Sequence, residues 1–517
     1  MRNKINVFAV GIVTALVFNS SVYAQKKVVA PIKPAQTMRK EVEGILIPND
    51  PDVRIGKLAN GLTYYIRRNT EPKNKAELHL AVAVGSLMED DDQQGLAHFT
   101  EHMAFNGTRD FSKNEMINYL QKSGMRFGAD LNAYSGFEQT GYKLPVPTDS
   151  AERFKDGFKI LANWAGKVVM EDKEIDKERG VIIEEDSKRG KNAKERMSRQ
   201  LMPLLLKGSR YETRMPIGKT DILQTFTHDK IRRFYKDWYR PNLQAVIAVG
   251  DFDVNEVEKL IKTNFSDLTN PVNSRPRLKY DLPDNKEPLV KVVTDSEQPF
   301  STAVIIFKQR GQVTTTTADY KKTLIYSMIN SMLAARLQEV LQKGNAPFLF
   351  AQTEFGAYQG GLVPGINAFQ TSVVSLSAAT LEKAISSALA ESESASKFGF
   401  LDSELSVVKK NILANVEKQL KEKDKTPSAT FVQQYLASFL IGSRVPSIDF
   451  IYAETQKAIA STTLEEVNKL VKTLITKENR IILVQAPERE KEDLPTEAQL
   501  VAAVENAIDK SLIEKKP

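Results

Sequence analysis

The 517-residue chain contains no cysteine. Disulfides, thiolate nucleophiles and cysteine-ligated metals are excluded, so any metal site must draw on His, Asp and Glu. Histidine is itself scarce: His79, His98, His102 and His228 are the only four. Past the N-terminus no segment is apolar enough to span a bilayer, so no membrane span is expected. No basic run is interleaved with aromatics, which argues against a nucleic-acid partner despite a formal charge of +7. The lysines are scattered among acids, as in DKERG and KEKDK, the pattern of a solvated surface. With 41% hydrophobic and 26% charged residues, the composition excludes a disordered or fibrous chain.

The N-terminus, MRNKINVFAVGIVTALVFNSSVYAQKK, has the parts of a secretory signal. Arg2 and Lys4 precede an apolar stretch from Val7 to Phe18, and Val22 and Ala24 occupy the small-residue positions of a cleavage site. Cleavage is predicted after Ala24, giving an exported, periplasmic or secreted protein of charge about +5.

Beyond residues 25–50, an N-terminal extension, the pattern is that of two α+β domains. In the first, 51–270, Arg54–Arg68 reads as a strand pair turning at Asn60-Gly61, and Ala76–Ser86 alternates like a half-buried strand. A helix is predicted from about Asp91 to Phe105, closed by Asn106-Gly107, and another over Lys113–Ser123. Two strands flank Ser135-Gly136, and helical periodicity covers Ala151–Val168 and Asp172 to about Leu206, with Gly180 as a weak point. A Pro-rich linker, 271–288, leads to a second domain, 289–488, where strand, helix, strands, helices and strand recur. A polar, helical tail, 489–517, is expected after it. Similar order in both halves suggests duplication.

Chemistry concentrates in GLAHFTEHMAFNGT. On a helix, His98 and His102 share a face and can present two imidazoles to one tetrahedral ion. Glu101 borders that face, within reach of water bound to the ion. A third ligand must be an acid, and Glu178–Glu185 is its best source. Glu178 and Glu185 lie two turns apart on one face, whereas Glu184 points about 100° away from Glu185.

His-x-x-Glu-His is the inverted zincin motif. Together with KERGVIIEED and HDKIRRFYKDWYRPNLQAVIAVGDFD, it resembles the pitrilysin/insulysin family, which includes the mitochondrial processing peptidases. The similarity covers Arg54–Asp253 and, more faintly, continues to Gln485. The resemblance implies two homologous α/β sandwich domains, each a mostly antiparallel sheet covered by helices. It implies one zinc per chain, held by His98, His102 and Glu185, with Glu101 as general base and Glu178 supporting the site. It implies that Asn132, Ala133 and Tyr134 lie on an edge strand to which a peptide substrate adds as a further strand. His102 and Glu185 stand slightly farther apart than is usual in the family, which a short insertion near residues 124–132 accounts for.

Single-chain members resembling this sequence are about twice as long and close two bowls around a chamber. Their second bowl supplies an Arg and a Tyr seven residues apart. Here the matching positions of RLQEVLQKGNAPFLFA are Leu341 and Phe348, both apolar. The chain therefore resembles the zinc-bearing half, completed by a second peptidase-family half, a partner subunit or a homodimer. The alternative is a noncatalytic partner or scaffold subunit derived from a peptidase.

Overall fold

The computed structural model describes residues 44–122 and 133–509. The expected signal segment with its cleavage site at Ala24, most of the N-terminal extension, the insertion at 124–132 and Asn132 lie outside the described residues.

The first domain carries strands β1 (Val53–Lys57), β2 (Thr63–Arg68), β3 (Lys75–Val82), β4 (Ala133–Ser135), β5 (Thr140–Pro147) and β6 (Gln244–Gly250). Its helices are α1 (Leu96–Met103), α2 (Lys113–Lys122), α3 (Ala151–Gly166), α4 (Asp172–Arg189), α5 (Ala193–Leu205), α6 (Thr220–Thr225), α7 (His228–Trp238) and α8 (Val254–Phe265). The second has β7 (Leu289–Asp295), β8 (Thr302–Arg310), β9 (Phe348–Ala357), β10 (Ile366–Ser375) and β11 (Arg480–Pro487). With them come α9 (Thr317–Gln342), α10 (Leu381–Phe398), α11 (Asp402–Lys421), α12 (Ser428–Ile441), α13 (Ile448–Ser461), α14 (Leu464–Val471) and α15 (Glu497–Asp509).

The sheets are ordered β1-β2-β6-β3-β5-β4 and β7-β11-β8-β10-β9. Apart from β1, they superpose strand for strand: β2 and β6 run parallel, as do β7 and β11, and the other pairs are antiparallel. The duplication suspected from element order is present in the topology.

Both faces of the first sheet are buried, which is why Gln244–Gly250 reads as an unbroken apolar run. Leu78, Leu80 and Val82 face the helical core of their own domain. The opposite face, with Tyr65, Ala81, Ile247 and Val249, packs against Val432, Tyr435 and Leu436 of α12, from the second domain. The exchange is reciprocal. Met197, Leu201 and Leu205 of α5 join a core with Ile306, Ile481 and Leu483 of the second sheet. Arg196 on α5 forks onto Asp295 of β7 with two 2.7 Å contacts, and the Tyr358 hydroxyl donates to the Leu205 carbonyl at 2.8 Å.

Several boundaries differ from the sequence reading. The helix expected from Asp91 starts at Leu96, after a short 3-10 turn, because Gly95 takes φ 102°. It ends at Met103, before Asn106-Gly107. The stretch 172–206 is two helices that break at Gly190, not at Gly180: buried Ile175 and Ile182 brace α4 around Gly180. Asn192 caps α5, its Oδ1 accepting from the Lys194 amide at 2.9 Å. The linker is packed through Leu282, and the expected polar tail contributes α15, whose Leu500 and Val504 are buried in the second core. No helix among the described residues is long and apolar enough to cross a membrane.

Tyr435 is buried and stacks on Tyr65 with ring centroids 5.5 Å apart. Tyr435→Ala should remove about 3 kcal/mol of stability, read as a lower urea midpoint at unchanged slope.

Candidate active site

Helix α1 is buried around nearly its whole circumference, His98 and Glu101 included, and only His102 is half-buried. A helix this short needs external support. Gly95, at its N-terminus, offers no side-chain cap; instead buried Glu89 accepts from the amides of Gly95 at 3.0 Å and Ala97 at 2.8 Å. A side chain at Gly95 would also collide with Gly218, whose Cα lies 3.0 Å from the position of the missing Cβ. This turn must therefore stay glycine.

Helix α4 crosses α1 and brings Glu178 and Glu185 to it. Nε2 of His102 lies 3.3 Å from Glu185 Oε2, and Nε2 of His98 lies 3.7 Å from the same oxygen. The two rings are nearly perpendicular, with centroids 4.7 Å apart. One ligand atom from each of His98, His102 and Glu185 falls within 4.8 Å of the others. Among the described residues this is the one His/Asp/Glu group that converges in this way. Ligand atoms on a zinc tetrahedron are separated by about 3.3–3.5 Å, given zinc–ligand bonds near 2.0–2.2 Å. The donor set and its spacing therefore fit zinc.

Glu178 supports this set. His102 Nδ1 donates to its Oε1 at 2.8 Å, which leaves Nε2 turned toward Glu185. Asn106 Nδ2 donates to its Oε2 at 2.6 Å. Glu184, the adjacent acid, points outward to Lys188.

The electrostatics suit a cation. Burial lowers His98 to about 3, a neutral ring with its lone pair available. For His102 burial acts in the same sense, but hydrogen bonds to Glu178 and Glu185 outweigh it and raise the ring to about 9. Burial opposes ionisation of Glu185, yet the His102 hydrogen bond and the positive charge of Arg189 hold it near 2. Burial pushes Glu101 up to about 7, partly offset by the Ser135 hydroxyl, which donates to its Oε2 at 2.7 Å. A carboxyl poised near neutrality is suited to taking up and releasing a proton.

These groups open onto a cleft of about 730 Å³. Ala133 and Tyr134 line it from β4, the last strand of its sheet. Residues 359–362, after β9, and the C-terminal part of α12 line it from the second domain. The sequence reading missed Ser135, Asn106, Glu89 and Arg189, which pairs with Glu185. Ser135 and Asn106 were visible only as turn and helix-end residues, and Glu89 and Arg189 belong to no motif.

The residues 64–216 match the insulinase (Peptidase family M16) model, and 225–412 match the peptidase M16 inactive domain. The chain belongs to the insulinase family, peptidase family M16. It is 30% identical over 446 residues to "Probable zinc protease PqqL" of Haemophilus influenzae, covering 85% of this chain and 47% of that protein. Against "Probable zinc protease PqqL" of Escherichia coli it is 34% identical over 300 residues, 58% of this chain and 32% of that one. The chain thus spans less than half the length of these relatives. The crystal structure of the first half of the periplasmic protease PqqL from Escherichia coli matches with a TM-score of 0.85 at 26% identity, over 91% of this chain and all of that one. Pitrilysin shares the fold, with a TM-score of 0.67 at 16% identity over 92% of this chain and 50% of that chain.

Replacing Glu178 by Gln should weaken zinc binding by about 10- to 100-fold, measured by competition with a chromogenic chelator. Glu184→Gln should leave the affinity unchanged.

Proposed function

We propose that this chain is a zinc-dependent endopeptidase acting on peptides or unfolded polypeptide segments. The observation that carries this reading is the meeting of His98, His102 and Glu185 beside buried Glu101, in a cleft bordered by β4, the edge strand among the described residues. His98, His102 and Glu185 hold one zinc per chain, and Glu178 fixes the His102 ring. Zinc bound there would polarise the scissile carbonyl and lower the pKa of the attacking water. Glu101 takes that water's proton and hands it to the leaving amine, which breaks the peptide bond with atoms and charge balanced. Ser135 occupies one Glu101 oxygen, which leaves the other for the proton.

The edge of β4, at Ala133 and Tyr134, binds the substrate by strand addition, so the main chain supplies most contacts and sequence preference is broad. The apolar Leu341 and Phe348, the latter buried in the second core, offer no polar substrate contact. A second peptidase-family half or partner chain would close the cleft, as the greater length of the relatives suggests. Export to the periplasm, with cleavage near Ala24, agrees with the periplasmic description of the Escherichia coli relative.

Glu101→Gln should retain one zinc by metal analysis and lose hydrolysis of a quenched fluorogenic peptide by at least about a hundredfold. Retained turnover in a zinc-loaded, contaminant-free sample would refute the base assignment. Removal of zinc by a chelator should abolish turnover, and added zinc should restore it.

A further inference from the structure

A peptide added to β4 must present its side chains alternately to the two faces of the sheet. The strand itself shows which face is which. Ser135 points toward α1, where its hydroxyl meets Glu101, and Ala133, two residues before it, packs against the same core. Tyr134, between them, faces the other way. Its ring lies over Gly141, where a Cβ would come within 2.5 Å of it, and Lys143 Nζ is 5.8 Å from its centroid.

That second face is the one covered by α12. At its C-terminal end α12 turns Leu440 and Ile441 into the cleft, and Leu362 stands on the same cleft from the loop after β9. Ile441 is 45% exposed although large and aliphatic. The residues α12 gives to the cleft are all uncharged. The cleft therefore has a reactive wall on one face of the edge strand and an apolar wall on the other.

We infer that Leu440, Ile441 and Leu362, with the Tyr134 ring, form a side-chain subsite for an aliphatic or aromatic residue of the bound peptide. This rests on the peptidase reading above and adds a substrate preference to it. The preferred residue occupies positions whose side chains point away from His98, His102 and Glu101. Covering such a side chain with apolar surface favours Leu or Phe over Ser by about tenfold or more in affinity. A charged side chain there loses hydration without gaining a partner on α12.

The test uses the full chain carrying Glu101→Gln, loaded with zinc, so that peptides bind without being cut. Fluorescein-labelled decapeptides of Gly and Ser, with a single central Leu, Ser or Lys, are titrated by anisotropy. The Leu peptide should bind at least about tenfold tighter than the Ser peptide. Adding Ile441→Asp, or separately Leu440→Asp, should erase that preference, and Ile441→Asp should favour the Lys peptide. Thermal melting verifies that the variants fold, and the exposure of Ile441 makes it the safer of the two. Equal affinity for the Leu and Ser peptides, or a Leu preference untouched in both folded variants, would overturn the subsite. Failure of the zinc-loaded chain to bind any of the peptides would instead sink the peptidase reading and the subsite with it.

Discussion

The contact between Glu178 and His102 governs the rest of the site. By accepting the Nδ1–H hydrogen bond, Glu178 decides which ring nitrogen faces Glu185, and it ties α4 to α1 where the two helices cross. Remove that tie and the shared face of His98 and His102 has no fixed counterpart, because Glu185 sits two turns farther along the same helix. The other supports serve this crossing. Glu89 secures the start of α1, Ile175 and Ile182 seat α4, and Asn106 holds the second Glu178 oxygen.

The second domain shows the same crossing without the chemistry. Its α9 occupies the place of the histidine-bearing helix and its α11 that of α4, by position in an equivalent strand order. There the two helices are joined by buried Arg336, which forks onto Glu404 with both contacts at 2.7 Å and lies over the Phe400 ring. An ion pair of this kind joins two helices in one fixed geometry without offering an open coordination place. One copy of the fold keeps its helices together through groups that can bind a cation, the other through a closed guanidinium–carboxylate fork.

Much of the fold was legible because periodicity survives where one face of an element is buried. Asn60-Gly61 marked the first hairpin, and the repeat of element order foretold the second sheet. The site was legible to the extent that it is local: His98, Glu101 and His102 lie within one turn and a half. Glu178 and Glu185 were traceable because their separation matches two helical turns. Asn106 read only as a helix-closing residue because its contact with Glu178 crosses the fold, and Glu89 and Arg189 belong to no motif that sets them apart from other charged residues. Gly180 read as the weak point of 172–206, whereas the chain breaks at Gly190, because propensity cannot see the buried Ile175 and Ile182 that seat α4 on either side of Gly180. The tail read as polar because charged residues flank α15, whose buried Leu500, Ala503, Val504 and Ala507 gather on one side of the helix.

The reciprocal loan of α5 and α12 has a further consequence. Each sheet is roofed by a helix belonging to the other copy, so neither half can be cut away without stripping apolar surface from what remains. The copy without a metal cluster is thus a structural necessity rather than a passenger. Moreover, α12 works on two frontiers at once: Leu436 and Leu440 pack toward the first sheet and also line the groove. A change in packing at those residues would reach the groove as well, so cohesion between the domains and the shape of the groove would evolve as one trait.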